Sequence, residues 1–255
     1  MFLALIGGFN GAIVSAFWFF EQLFFTPKRR IMRYDIRYSG KKPSLEGNWD
    51  EPAWRSADVI TLDHFVARSS AHHPRVEVKA LWTHDGLYVF FRVHDRYIRC
   101  VRTDYQACVC ADSCVEFFVE PIEKKGYFNF EINCGGTMLL YYCDYPDPKT
   151  GRIGIKDHVP QSLGGMVRIY HSMPGIVYPE VEFEAVWKIE YFIPFKLFEH
   201  YLGPLGKING QVWRGNFYKC ADGCSHPHWA SWAPLHGKEN FHTPEYFAPL
   251  RFIGK

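Results

Sequence analysis

Asp112-Ser113-Cys114-Val115-Glu116-Phe117-Phe118-Val119-Glu120 is followed, across a loop holding Lys124, Lys125 and Gly126, by Tyr127-Phe128-Asn129-Phe130-Glu131-Ile132-Asn133; Gly135-Gly136 closes the stretch. Side chains alternate between the two faces of a strand. In the first run Val115, Phe117 and Val119 share one face, and Glu116, Phe118 and Glu120 take the other. In the second, Phe128, Phe130 and Ile132 oppose Tyr127, Asn129, Glu131 and Asn133. Two such runs joined by a short loop predict an antiparallel pair. With both apolar faces turned inward, Glu116, Asn129, Glu131 and Asn133 gather on one polar face beside Tyr127 and Phe118. Carboxylates and amides hydrogen-bond sugar hydroxyls, and aromatic rings cover a sugar's apolar C–H face. The outside of any sandwich would carry similar polar residues simply facing solvent.

Working outward, short apolar runs alternate with turn residues through most of the chain. Residues 76–82 and 87–93 flank Asp85-Gly86, a strong hairpin signal. Residues 137–142, 166–170, 181–193, 211–220 and 250–253 read as further strands. Residues 195–201, after Pro194, read as a short helix, and residues 144–165, rich in Asp, Pro and Gly, as a long loop. No repeat of solenoid period and no linker is visible. The 18% aromatic content, spread along 255 residues with recurrent Gly and Pro, suits one all-β domain: a two-sheet antiparallel β-sandwich of jelly-roll or immunoglobulin-like architecture over residues 32–255.

A formal charge of +2, with no basic block beyond Lys28-Arg29-Arg30, implies no nucleic-acid partner. Eight cysteines invite a disulfide framework, but a domain of this size needs no staples, and Cys108, Cys110 and Cys114 are too crowded to bridge readily. They are expected to be free thiols packed as small hydrophobes, although a few disulfides would suit an exported protein. Residues 1–31 stand apart. Residues 2–25 carry Glu21 as their only charge and are long enough to span a bilayer. The expectation is either a membrane anchor or an over-extended start, with Met32 as the natural opening of the soluble domain. Membrane association follows only if residues 2–25 are retained. The domain is cytoplasmic if Met32 is the start, and extracytoplasmic or at the cell surface if the segment is a signal or anchor.

Several segments together resemble family 9 carbohydrate-binding modules. Leu45-Glu46-Gly47-Asn48-Trp49-Asp50-Glu51-Pro52-Ala53-Trp54 is similar to that family's opening. Val78-Lys79-Ala80-Leu81-Trp82 with Asp85-Gly86-Leu87-Tyr88-Val89 looks like its second signature, and Asp112-Ser113 with Val115-Glu116-Phe117 resembles its central motif. Tyr127 to Asn133, Ile193-Pro194-Phe195, Trp213-Arg214-Gly215-Asn216-Phe217 and the segment 244–252 follow in the expected order. The resemblance implies a β-sandwich that binds a mono- or oligosaccharide without catalysis, often as an accessory to polysaccharide breakdown. It implies Glu116, Glu131 and Asn133 as hydrogen-bonding residues, with Asn129 beside them and Phe241, next to Asn240, as one of two stacking aromatics. Glu131 stands where the best-known members have a basic residue. The second aromatic should precede Asp112, but Cys108-Val109-Cys110-Ala111 occupies that stretch. Trp213, Trp229 and Trp232 are alternative stacking platforms, with Trp232 at a strand end near the site. Family members also carry structural calcium, for which Asp63, Asp95 and Asp112 are loop-flanking candidates.

Other chemistries leave weaker marks. Cys220-x3-Cys224 with His226 and His228 has a loose zinc-like spacing. A glycoside hydrolase could use Glu116 with Glu131, since such enzymes need two carboxyls about 5–9.5 Å apart. A haem-binding sandwich could draw on Met138 or Met173 with His158 or His171. If Glu116 is an exposed polar residue, Glu116→Ala should abolish sugar binding and leave the fold intact.

Overall fold

The computed structural model describes residues 32–254; the expectations for residues 1–31 lie outside them. The described body begins at Arg33. Its strands are β1 (Tyr34–Tyr38), β2 (Ile60–Thr61), β3 (His64–Phe65), β4 (Arg75–Trp82), β5 (Gly86–Asp95) and β6 (Ile98–Cys100). Then come β7 (Cys114–Glu120), β8 (Tyr127–Asn133), β9 (Met138–Cys143), β10 (Ile155–His158), β11 (Arg168–His171) and β12 (Val177–Val181). The last are β13 (Ala185–Pro194), β14 (Val212–Cys220), β15 (Trp229–Ser231) and β16 (Ala248–Ile253). Two short helices, α1 (Gln161–Gly164) and α2 (Phe195–Leu202), interrupt them.

The fold is an all-β sandwich. Its main ladder runs β10-β9-β8-β7-β14-β16-β1-β4-β5-β13-β11. Most pairings are antiparallel, as alternating short strands and tight turns dictate. β1 is the exception: it runs parallel to both β16 and β4, and so splices the two halves of the ladder into one curled sheet. Phe217 of β14 stacks on Phe117 of β7 at 4.6 Å, and Phe91 of β5 meets Phe217 edge-on at 6.1 Å. The first contact is a cross-strand pair within one half, and the second joins that half to the other. Burying a phenylalanine side chain contributes about 1.5–3 kcal/mol, so this aromatic seam is a main source of cohesion.

Residues 144–165 do not form a plain loop. β10 pairs with β9 as an edge, and α1 follows it. The residues of β10 are mostly exposed, so no buried alternation announces the strand. Gly136 ends the β8 turn with φ of 87°, and its amide donates to the Asn133 carbonyl at 2.9 Å. A Cβ there would meet the His171 ring at 2.5 Å, so glycine is required on two counts. Among the described residues, no helix is long and apolar enough to cross a membrane.

Candidate functional site

β7 and β8 are buried along their whole length, on both faces. The inner face carries the predicted apolar set. The outer face carries the polar set, but it is not solvated: Glu116 is 3% exposed and Glu131 6%. Register places Glu116 directly opposite Glu131, with Tyr218 on its other side. Chain segments from distant parts of the sequence rise around this floor and enclose a recess of about 300 Å³. Phe118 and Cys220 complete the floor, while Cys110, Asp222, Trp229 and Arg68 form one side. Glu239, Asn240, Phe241 and His242 form another.

The two glutamates are short of partners. Cys220 Sγ donates to Glu116 Oε1 at 2.9 Å, and Glu116 Oε2 has no bond among the described residues. Asn129 Nδ2 donates to Glu131 Oε1 at 2.8 Å, leaving Glu131 Oε2 likewise unused. Burial, and then the facing Glu131, push the Glu116 carboxyl well above the ordinary glutamate range. Burial raises Glu131 to about 7, opposed by the Asn129 hydrogen bond and reinforced by Asp222. Asp222 is itself raised by burial. Burial lowers His242 to about 4, so its ring is neutral at physiological pH, and Nδ1 lies 2.8 Å from the Tyr127 hydroxyl.

The walls supply the aromatic surface. Phe241 lies flat on Tyr218, ring centroids 4.2 Å apart. Trp229 donates its indole N–H to Asp222 Oδ1 at 2.6 Å, and the Arg68 guanidinium covers its ring at 3.6 Å. Asn240 Oδ1 accepts from the His242 amide at 2.9 Å, while its Nδ2 has no bond within the described chain.

Of the residues expected from sequence, Glu116, Glu131, Asn240 and Phe241 line the recess together. Asn129 stands behind Glu131 and positions it, with its Oδ1 accepting from the Tyr141 amide at 2.7 Å. Asn133 is spent elsewhere. Its Nδ2 donates to Arg102 O and Asp112 Oδ2 at 2.8 and 3.0 Å, and its Oδ1 accepts from the Thr137 amide at 2.9 Å. It fixes the turn after β8 rather than facing the recess. Trp232 is 5% exposed and packs edge-on against Tyr34 and Phe217 in the core, so it offers no stacking face. Trp229 is the member of that tryptophan trio that reaches the recess. Where the second aromatic was expected, a single turn at Val109–Ala111 brings Cys110 into the wall instead. Arg68, Asp222 and Glu239 carried no sequence signal, because loops far apart in the chain bring them here. The expected exposure of Glu116 does not hold either: loop segments cover the outer face.

The metal and haem expectations find other settings. Asp112 accepts from Arg99, from the Val101 and Arg102 amides and from Asn133, and is a hub of the fold rather than a calcium ligand. Asp95 takes donors from Trp187 and Arg96, with Lys219 3.8 Å away, and Asp63 bonds Thr61. These three aspartates do not converge, so they do not fit a calcium site. Among the described residues, the one set of His, Cys, Asp or Glu donors close enough to share an ion is Cys114, Glu116 and Cys220, within 4.8 Å of one another. Cys224, His226 and His228 are not part of it. All eight cysteines are free. Met138 is buried on β9, whereas His171 is exposed on β11 with Nδ1 2.7 Å from the Met173 carbonyl.

Comparison with known proteins gives a consistent outcome. The model of carbohydrate-binding family 9 matches residues 53–252. Among curated proteins nothing matches. Among solved structures, a Bacteroides uniformis protein assigned provisionally to carbohydrate binding aligns at 28% identity and a TM-score of 0.74, over 86% of this chain and 98% of its own. Two structures of a family 9 carbohydrate-binding module from Caldicellulosiruptor kristjanssonii share the fold. The cellotriose complex is 14% identical with a TM-score of 0.60, over 88% of this chain and 95% of its own. The glucose complex is 12% identical with a TM-score of 0.59, over 88% and 97%.

Proposed function

The chain belongs to carbohydrate-binding family 9, and from that premise we propose that the recess above β7 and β8 binds a mono- or oligosaccharide without breaking it. One observation carries this reading. Glu116 and Glu131 lie side by side, nearly buried, each with an oxygen free to accept from a hydroxyl, on the floor of a recess large enough for a sugar ring. The Asn240 amide offers a donor at the rim, and Phe241 and Trp229 offer apolar faces for the ring's C–H groups. Small-ligand sites combine such walls with a few placed polar groups. Support from relatives is direct in kind: the Caldicellulosiruptor kristjanssonii modules hold cellotriose and glucose.

The same geometry argues against hydrolysis. A glycosidase places its two carboxyls on either side of the scissile bond, one as acid and one as base or nucleophile. Here both project from adjacent strands of one floor, at the same level of the register. A glycan array followed by calorimetry tests the proposal. Saccharide binding that falls at least about tenfold in Glu116→Gln supports it. No response to any mono- or oligosaccharide refutes it, and release of product from chromogenic glycosides refutes its non-catalytic part.

A further inference from the structure

The charge balance of the recess is lopsided. Four carboxylates line it (Glu116, Glu131, Asp222 and Glu239), and Arg68 is the one lining cation. Arg68 is already committed to Glu239, 3.6 Å away, and to the face of Trp229. The nearest buried cation by sequence, Lys219, faces the opposite side of β14, where its Nζ lies 2.8 Å from His228 Nε2 and 3.8 Å from Asp95 Oδ2. His242, kept neutral by burial, adds no charge. Among the described residues, no cation pairs directly with either floor glutamate, and Lys219 offsets the Glu116 charge only from a distance, as the last of its influences.

Buried carboxylates are costly unless paired. Two facing each other are costlier still, because like charges share one low-dielectric site. A neutral hexose relieves this only in part, since its hydroxyls donate hydrogen bonds but bring no charge. A protonated amine relieves more of it, with three donors and a positive charge. The unbonded Glu116 Oε2, on a side chain more than nine-tenths buried and directed into the recess, marks where such a donor would sit. The aromatic wall already accepts a cation, as the Arg68 guanidinium over Trp229 shows.

Building on the saccharide reading above, we propose that the preferred ligand is an amino sugar, a hexose carrying a free protonated amine, with the amine held between Glu116 and Glu131. A charge-assisted hydrogen bond to a buried carboxylate adds about 1.5–3 kcal/mol, which predicts a preference of roughly ten- to a hundredfold over the matching neutral sugar.

The test is calorimetric titration of the full chain with glucosamine, galactosamine and mannosamine against glucose, galactose and mannose. N-acetylglucosamine serves as a control with the same substitution site but no charge. The expected result is that at least one hexosamine binds about tenfold or more tightly than its neutral partner and than N-acetylglucosamine. The preference should shrink as pH falls below about 7, where Glu131 takes up a proton. It should also collapse in Glu131→Gln. Neutral sugars bound as tightly as every hexosamine would overturn the amino-sugar proposal and leave the saccharide reading standing. A preference unchanged by both pH and Glu131→Gln would also overturn it, since the floor carboxylates would not be its source. Silence from all the sugars would instead sink the saccharide reading itself.

Discussion

Lys219 and Cys220 are neighbours on β14, yet they look into two differently built regions. Lys219 is fully buried among Asp95, His228 and Trp187. There His72 Nε2 lies 2.7 Å from Asp95 Oδ1, and the Trp187 indole N–H donates to Asp95 Oδ2 at 3.2 Å. Positive charge meets negative charge, and the carboxylate is satisfied. Cys220, one residue on, faces Glu116 and Glu131, which repel each other and leave two carboxylate oxygens unused. Both regions bury ionisable groups. The first is paired within the chain, whereas the second leaves carboxylate oxygens that a ligand would satisfy on the proposed reading. A buried charge that finds its counterion holds a fold together; one that lacks it points to something bound.

The contrast can be broken most forcefully on the Lys219 side. Lys219→Met strands the Asp95 carboxylate and is expected to cost about 3–5 kcal/mol in denaturant unfolding, as for other buried pairs that lose one partner. A loss below about 1 kcal/mol would show that Asp95 has no need of the lysine. On the other side, Glu116→Gln replaces a carboxyl that burial and Glu131 push toward its protonated form, and it keeps the shape. Saccharide affinity should fall about tenfold or more while stability at pH 8 stays level or rises by about 1 kcal/mol. Marked unfolding of that variant would make Glu116 a structural residue.

Stability against pH separates the two regions by sign. Asp95 is held below the ordinary aspartate range, burial opposing and Lys219 and His72 outweighing it, so its contribution is present at neutral pH and lost only in strong acid. Glu131 is raised from 4.5 to about 7, so its contribution is complete below 4.5 and declines as pH climbs to about 7. Wild-type Tm should therefore drop across that interval by the equivalent of about 3 kcal/mol, and Glu131→Gln should flatten the drop. An unchanged slope in the variant would assign the decline elsewhere. The smallest expected effect belongs to the wall: Trp229→Phe keeps a ring but frees Asp222 from the indole N–H. Affinity should change by less than about 1 kcal/mol, and a larger loss in calorimetry would promote that hydrogen bond to a main determinant.

The part of this contrast that was legible in the sequence is the part governed by strand parity. A period of two places Glu116, Asn129 and Glu131 on one face, and the β7–β8 register sets Glu116 against Glu131. Parity says which face, not what covers it. The roof comes from residues 239–242, the turn at Val109–Ala111 and Trp229, segments whose approach depends on tertiary packing rather than local pattern. For the same reason Asn133 looked like a ligand and is a turn clamp, and Trp232 looked like a platform and is core. β1 shows the limit at the level of fold. It is a five-residue strand with Tyr34 and Ile36 buried, and nothing local says that it runs parallel to two neighbours.

A crystal structure of the protein grown with a bound hexose or hexosamine tests the central claim most directly. The predicted result is a sugar in the recess, a hydroxyl or amine within hydrogen-bond distance of both Glu116 and Glu131, and its C–H face against Phe241 or Trp229. A sugar ordered at another surface, with the floor glutamates untouched, would contradict it.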